Sequence, residues 1–156
     1  MAEYTPNAEA EVIAEELIEQ YHPGLVGLKI AHLLKVMPVP KSKKVHKQPR
    51  HGKKVTLAKT SKVSSKTNAL AEKDFHFVIE YGSLYWDKME DNMKRALVDH
   101  ELCHCGSDAD GVYLVPHGIE DFSEIFARWG CWKSDVEQFV KVVLTKIAKD
   151  KQEVSA

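Results

Sequence analysis

The segment from Ala8 to Tyr21 carries apolar residues at the three- and four-residue spacing of a helix face. Thr5 and Pro6 precede it as a cap and a first-turn proline, and the turn-forming stretch "HPG" follows it. The pattern therefore predicts an amphipathic N-terminal helix. Its apolar positions are Val12, Ile13, Leu17, Ile18 and Tyr21.

Two later stretches, Leu28 to Val36 and Phe75 to Tyr81, alternate apolar and polar residues with the period of two that is typical of strands. In the second, Phe75, Phe77 and Ile79 share one face. Between them, residues 40–72 are rich in Lys, Ser and Thr, and only "KVTLAK" is strand-like. We predict two strands, separated by a basic hairpin or flexible loop over residues 40–72.

Helical spacing returns after Asp87 and continues to Gly106, with His100 and His104 on the same face. The stretch "DADGVYLVP" then predicts a turn and a short strand, and two C-terminal helices follow. The predicted order is thus strands, the histidine-bearing helix, a short strand and two further helices. The last helix is predicted to bury Val136, Phe139, Val140, Val143, Leu144 and Ile147.

The chain of 156 residues is 44% hydrophobic, which suits one core. We predict a single domain over residues 1–150 and a disordered tail over residues 151–156. The chain has no apolar run of bilayer-spanning length, and its N-terminus is acidic where a signal peptide is basic and then apolar. We therefore expect a cytoplasmic protein, inside a bacterial host, with no membrane partner.

The net charge of −1 conceals a strong asymmetry. Residues 20–71 hold twelve Lys and Arg and no acidic residue, whereas the rest of the chain holds ten basic and twenty-three acidic residues. Such a block, densest over residues 41–66, attracts anionic partners, including nucleic acid. It has almost no aromatic residues to stack on bases, so a solvated basic loop is the alternative interpretation.

His100, Glu101 and His104 form an H-E-x-x-H motif on the predicted helix. Residues four apart share a helix face, so both imidazoles can bind one Zn²⁺ ion, while Glu101 can act as general base on a water. Chance alone produces this motif in about one shuffled sequence of this composition in thirty, so its context matters. The other histidines up to His76 lack such spacing and are interpreted as surface or packing residues.

A catalytic zinc needs a third protein ligand. His117 is the first choice, because a turn after the predicted short strand can bring its imidazole back over the helix. Asp110, Glu120 and Glu124 are alternatives, and whichever does not bind metal can accept a hydrogen bond from a ligand histidine. Cys103 and Cys105 suggest a closed structural zinc site instead, but paired C-x-x-C motifs are absent, which favours buried packing thiols.

The sequence resembles the "Putative phage metallopeptidase" family of zincin-like proteins. The resemblance is carried by "YHPGLVGLKIAHLLK", "FHFVIEYGSLYW", "KRALVDHELCHC" and "VPHGIEDFSEIFARWGCW". It implies a compact α+β zincin fold, in which a small, mostly antiparallel sheet packs on the histidine-bearing helix. It also implies zinc as cofactor with His100, His104 and His117 as ligands, and Glu101 as catalytic base. The family usually carries an acidic residue where this chain has Gly118, which leaves Glu120 or Asp121 for that supporting role. By analogy with zincins, residues Phe75 to Tyr81 are expected to be an edge strand that binds an extended peptide.

Three functions are compatible with these features. The first is a zinc-dependent phage or prophage peptidase that acts on a protein or peptide substrate. The second is an SprT-like peptidase that acts on DNA-associated proteins and is recruited through the basic segment of residues 41–66. The third is a non-catalytic binding or regulatory protein that uses zinc for stability alone.

Overall fold

The computed structural model describes residues 3–36, 57–116, 125, 128–129, 142–147 and 149. Ile125, Arg128, Trp129 and residues 142–147 are helical. The prediction of an α+β protein is confirmed. The other elements in chain order are β1 (Glu3–Pro6), α1 (Ala8–Tyr21), a 3-10 turn (Pro23–Leu25), β2 (Ile30–Val36), β3 (Ala58–Lys62), α2 (Ser65–Ala71), β4 (Phe77–Gly82), α3 (Ser83–Trp86), α4 (Asp91–Leu102), β5 (Cys105–Asp108) and β6 (Gly111–Leu114).

The main sheet has the strand order β1-β2-β4-β3. β2 and β4 pair in parallel, whereas both outer strands pair antiparallel, so the sheet is mixed. On β4, Phe77, Ile79 and Tyr81 are fully buried. Their alternation, which predicted the strand, places the three side chains in the core. β5 and β6 form a separate hairpin.

The position of β4 corrects the expectation that Phe75 to Tyr81 is a substrate-binding edge strand. β4 has hydrogen-bonded neighbours on both sides, so its main chain has no row of groups left to pair with a peptide. The side chains of Phe77 and Ile79 are 0% exposed and support the core instead. Phe75 is half-buried and precedes the strand, where Asn68 bonds its main chain. Among the described strands, the edges are β1 and β3.

The bounds of α1 match the predicted helix, but its cap is different. Thr5 and Pro6 lie in β1, and Asn7 caps the helix by accepting a hydrogen bond from the Ala10 amide at 3.1 Å. The main-chain N–H of Asn7 donates to the His32 carbonyl in β2 at 2.9 Å, which ties the start of the helix to the sheet. The residues of α1 that are buried are Ala10, Ile13, Ala14 and Leu17.

The prediction of a hairpin or flexible loop over residues 40–72 is wrong where α2 lies, whereas its one strand-like stretch, "KVTLAK", overlaps the start of β3. β3 pairs with β4, and α2 is capped by Ser64, whose hydroxyl accepts a hydrogen bond from the Thr67 main-chain amide at 3.1 Å. The rest of the strand, Thr60 to Lys62, was hard to predict because these polar residues give no apolar alternation. Residues 37–56 lie outside the described residues.

α4 ends earlier than predicted, at Leu102, and Gly106 lies in β5. The chain tightens there, because the amides of Cys103 and His104 bond the carbonyls of Asp99 and Glu101. Gly106 is needed for space, since a Cβ at this position would overlap the Tyr113 ring packed against it. The predicted turn and short strand correspond to the β5–β6 hairpin.

Two further predictions concern packing. Cys103 and Cys105 are buried and form no disulfide among the described residues, which agrees with the interpretation as buried packing thiols. Of the last predicted helix, Val143 and Ile147 are helical and buried, whereas residues 130–141 and the tail of residues 151–156 lie outside the described residues. No helix in the described part of the chain has the length and apolarity to cross a bilayer.

A buried histidine in the sheet predicts acid sensitivity. His32 is 7% exposed, with Nδ1 3.0 Å from the Tyr81 hydroxyl, and burial lowers its pKa to about 4, against 6.5 for the unperturbed group. Between these values the unfolded chain binds a proton that the native protein does not, so stability falls as the pH falls through this window. Between pH 7 and pH 4, we expect His32 to account for about 3 kcal/mol of the decrease in the free energy of unfolding, and this part of the decrease should be absent in His32→Asn.

The measurement is urea unfolding of both proteins across this pH range, with the difference between their unfolding free energies plotted against pH. Asn is a suitable replacement because its side-chain carbonyl takes the place of Nδ1 beside Tyr81 but does not titrate. Parallel curves for the two proteins would contradict the assignment.

Candidate metal centre

The end of α4 brings His100, Glu101 and His104 together. One ligand atom from each residue lies within 4.8 Å of the others. The two imidazoles stand edge to face with their centroids 5.2 Å apart, as expected for side chains one helical turn apart. His100 and Glu101 are buried and His104 is half-buried. The group therefore combines two metal-ligating nitrogens with a carboxylate in a protected position.

His104 is oriented by the segment that follows β6. Its Nδ1 lies 2.7 Å from the Val115 carbonyl, and the Val115 amide donates to the His104 carbonyl at 2.7 Å. A carbonyl can only accept, so Nδ1 carries the proton in this hydrogen bond and the lone pair of the neutral ring lies on Nε2. A ligand histidine is usually held in its tautomer in this way.

Glu101 is 4% exposed and is bonded by a residue of β3. The Thr60 hydroxyl donates to Glu101 Oε2 at 2.6 Å. Burial raises the pKa of Glu101, while the Thr60 hydrogen bond and the nearby His104 act in the opposite direction. A carboxylate whose pKa is shifted upwards towards neutrality is a better proton acceptor at physiological pH than an exposed one.

Asp99 forms a second cluster on the adjacent stripe of α4. Its fully buried carboxylate accepts four hydrogen bonds, from His22 Nε2 and Arg128 Nη2 on Oδ1 and from Arg128 Nε and Trp129 Nε1 on Oδ2. Burial raises the pKa of Asp99, but the bonds from His22, Arg128 and Trp129 outweigh it and lower the pKa to about 2. The Arg128 guanidinium also stacks on the Tyr21 ring, with 4.2 Å from Cζ to the centroid.

This second cluster does not suit a metal, although His22, Asp99 and Cys103 lie within 4.8 Å of one another. The Asp99 carboxylate already neutralises the Arg128 guanidinium through two hydrogen bonds, and a cation would have to displace that charge. The cluster instead fastens the helical residues Arg128 and Trp129 to α4 and to the end of α1.

The structure brings together only part of the predicted site. Asp110 lies exposed in the β5–β6 turn, bonded to Asp108, and does not belong to the described group around His100. His117, Glu120 and Glu124 lie outside the described residues, as does most of the basic segment of residues 41–66.

Sequence reasoning missed Thr60, His22 and Asp99. His22 and Asp99 are 77 positions apart, so no spacing rule links them. A signal existed for Asp99 alone, because its carboxylate shares a helix face with the apolar residues Ala96, Leu102 and Cys103. Thr60 lies in a polar stretch and has no comparable signal.

The fold and the site define an α+β protein with a candidate metal centre at the end of a helix. The chain belongs to the family described as "Putative phage metallopeptidase", whose profile matches residues 2–144, nearly the whole chain. The resemblance noted in the sequence is therefore confirmed. No curated protein and no solved structure matches the chain significantly.

Proposed function

We propose that the protein is a zinc-dependent peptidase with a zincin-like fold, which hydrolyses peptide bonds in a protein or peptide substrate. The observation that carries the proposal is the Val115 carbonyl on His104 Nδ1, because it leaves Nε2 as the metal-binding nitrogen beside His100 and Glu101. The hydrogen bond fixes both the tautomer and the direction of the ring, as is usual for a histidine that binds a metal.

The donor set fits zinc. Two neutral imidazoles one helical turn apart suit this ion, and the adjacent carboxylate is bonded by Thr60 and thereby positioned beside the site. A bound zinc ion would supply Lewis-acid polarisation of the substrate carbonyl and acidify water. His100 and His104 would hold it, together with one further ligand.

The third ligand is expected from residues 117–124. Both flanks of this segment attach to α4: Val115 bonds His104, and Arg128 bonds Asp99. His117 follows Val115 by two residues, which span at most about 7 Å in an extended chain, so it stays within reach of the site. His117 is our proposed ligand, with Glu120 and Glu124 as alternatives.

Glu101 is the proposed general base. Its carboxylate accepts the proton of the attacking water and returns it to the leaving amine, since peptide hydrolysis requires both transfers. Burial favours this role, because it raises the pKa of Glu101 and keeps bulk water from competing for the carboxylate.

The substrate is proposed to approach along β3 and not along β4. β3 lies at an edge of the described sheet, contacts α4 and carries Thr60, which bonds Glu101. A peptide that adds a strand at this edge would bring its carbonyls next to Glu101.

The test is metal analysis of the purified protein combined with cleavage of unfolded casein. We expect one equivalent of zinc and cleavage that stops in 1,10-phenanthroline and returns with added zinc. His100→Ala and His104→Ala should lose both zinc and activity, because each removes one of the described ligands.

His76→Ala is the matched control, because His76 is a described histidine outside the metal group and should leave zinc content unchanged. Zinc loss in His117→Ala but not in Glu120→Ala identifies the third ligand. A wild-type protein that is purified without zinc and does not take it up would refute the proposed function.

A further inference from the structure

We propose that Thr60 is a positioning residue, whose hydroxyl holds Oε2 of Glu101 so that Oε1 is the oxygen that accepts the proton during hydrolysis. This inference rests on the proposed function and adds a residue that the H-E-x-x-H motif does not contain. It also assigns a role to β3, whose start overlaps the strand-like stretch "KVTLAK" of the basic segment.

The geometry gives the hydroxyl one main acceptor. Thr60 Oγ1 is 2.6 Å from Glu101 Oε2 and 3.2 Å from the Glu101 carbonyl, and a hydroxyl has a single proton to donate. The shorter contact, to a charged oxygen, is the stronger one. The Glu101 carbonyl also lies 3.9 Å from Cys105 Sγ, so it has another donor.

The hydroxyl is held in place by its strand. Thr60 is opposite Ile79 in the antiparallel β3–β4 pair, and Ile79 is fully buried. Thr is branched at Cβ, so few side-chain conformations compete with the observed one. The donor is therefore fixed by the sheet, whereas Glu101 is fixed by α4, and the hydrogen bond joins the two elements.

A fixed carboxylate matters because proton transfer depends on orientation. With Oε2 engaged by Thr60, rotation of the carboxylate about its terminal bond breaks a charged hydrogen bond, so Oε1 keeps one direction. A glutamate without this bond would sample several orientations, and fewer of them would point at the attacking water.

The first test separates catalysis from binding. Thr60→Val keeps the shape of the side chain and removes the hydroxyl, and we expect kcat to fall about tenfold or more with unchanged KM and zinc content. Thr60→Ser restores the hydroxyl and should recover most of the rate. Ser61→Ala is the matched control, because Ser61 is the next residue of β3 and alternates to the other face.

The second test does not depend on activity. In the metal-free protein, Thr60→Val should raise the unfolding equilibrium constant about tenfold in the wild-type background and less in Glu101→Ala, where only the longer contact to the main-chain carbonyl of residue 101 remains to be lost. Equal effects in both backgrounds would overturn the contact, even in an active enzyme.

The outcomes distinguish the two proposals. If the effect of Thr60→Val on unfolding depends on Glu101, but the wild-type protein has no chelator-sensitive cleavage, the contact between the two residues is supported. The peptidase function, and with it the positioning role of Thr60 in hydrolysis, is then refuted. An active wild-type enzyme whose Thr60→Val variant keeps kcat within about twofold overturns the positioning role alone.

Discussion

Glu101→Gln is expected to abolish peptidase activity, with a loss of about 10²- to 10⁴-fold in kcat, while zinc content stays at the wild-type level. The amide retains a carbonyl oxygen that can accept the Thr60 hydrogen bond, so the fold around the site is preserved. An amide is, however, too weakly basic to take a proton from water at neutral pH. The measurement is casein cleavage alongside metal analysis and the urea-unfolding midpoint.

This variant also separates the alternatives left open by the sequence. A non-catalytic protein that binds zinc for stability would keep its biological effect in Glu101→Gln, whereas a peptidase would lose it. Glu90→Gln is the control, since Glu90 is exposed at the start of α4 and should leave kcat unchanged. Glu101→Gln with more than a tenth of the wild-type activity would rule out Glu101 as the base.

Asp99→Asn is expected to be the most destabilising single substitution among the described polar residues, at about 3–5 kcal/mol in the free energy of unfolding. An amide cannot accept all four of the hydrogen bonds that Asp99 receives, and it leaves the Arg128 guanidinium without its countercharge. Urea denaturation at pH 7 measures the loss. Because the wild-type pKa is about 2, the contribution of Asp99 persists until the pH falls below about 4.

Asp74→Asn is the matched control. Asp74 pairs with Lys29 at 2.7 Å, but both side chains are more than half exposed, so we expect no measurable change in stability. Removal of both Asp99 and Arg128 should cost less than the sum of the single substitutions, because no charge then remains buried alone. A change of less than about 1 kcal/mol in Asp99→Asn would show that water replaces the lost bonds.

The parts of the fold that could be predicted are those in which the apolar pattern of a single segment shows which of its faces is buried. The face of α1 that contains Ile13 and Leu17, and the alternation of Phe77 and Ile79 in β4, follow from periodicity because each element contacts the core along one face. The pairing of the strands does not follow in this way. The parallel arrangement of β2 beside β4 depends on partners far apart in sequence, so β4 was mistaken for an edge.

The residues of the candidate site differ in the same way, because some could be predicted from a single segment and others could not. His100, Glu101 and His104 could be found because one helical turn sets their spacing. Thr60 and Val115 act on these residues from other elements, and each contributes a group that many residues carry, a hydroxyl and a carbonyl. Chemistry within one helix was therefore predictable, whereas the contacts that orient it required the fold.

The two functional faces of α4 also limit which insertions and deletions the protein can tolerate. Asp99 and Cys103 face the Arg128 cluster, while His100 and His104 face the candidate metal, only about 100° further around the helix. An insertion or deletion of one residue within α4, before Asp99, would rotate the following residues by that angle. The wrong side chains would then face the Arg128 cluster and the candidate metal. Evolution can replace exposed residues of α4 but can scarcely alter its length.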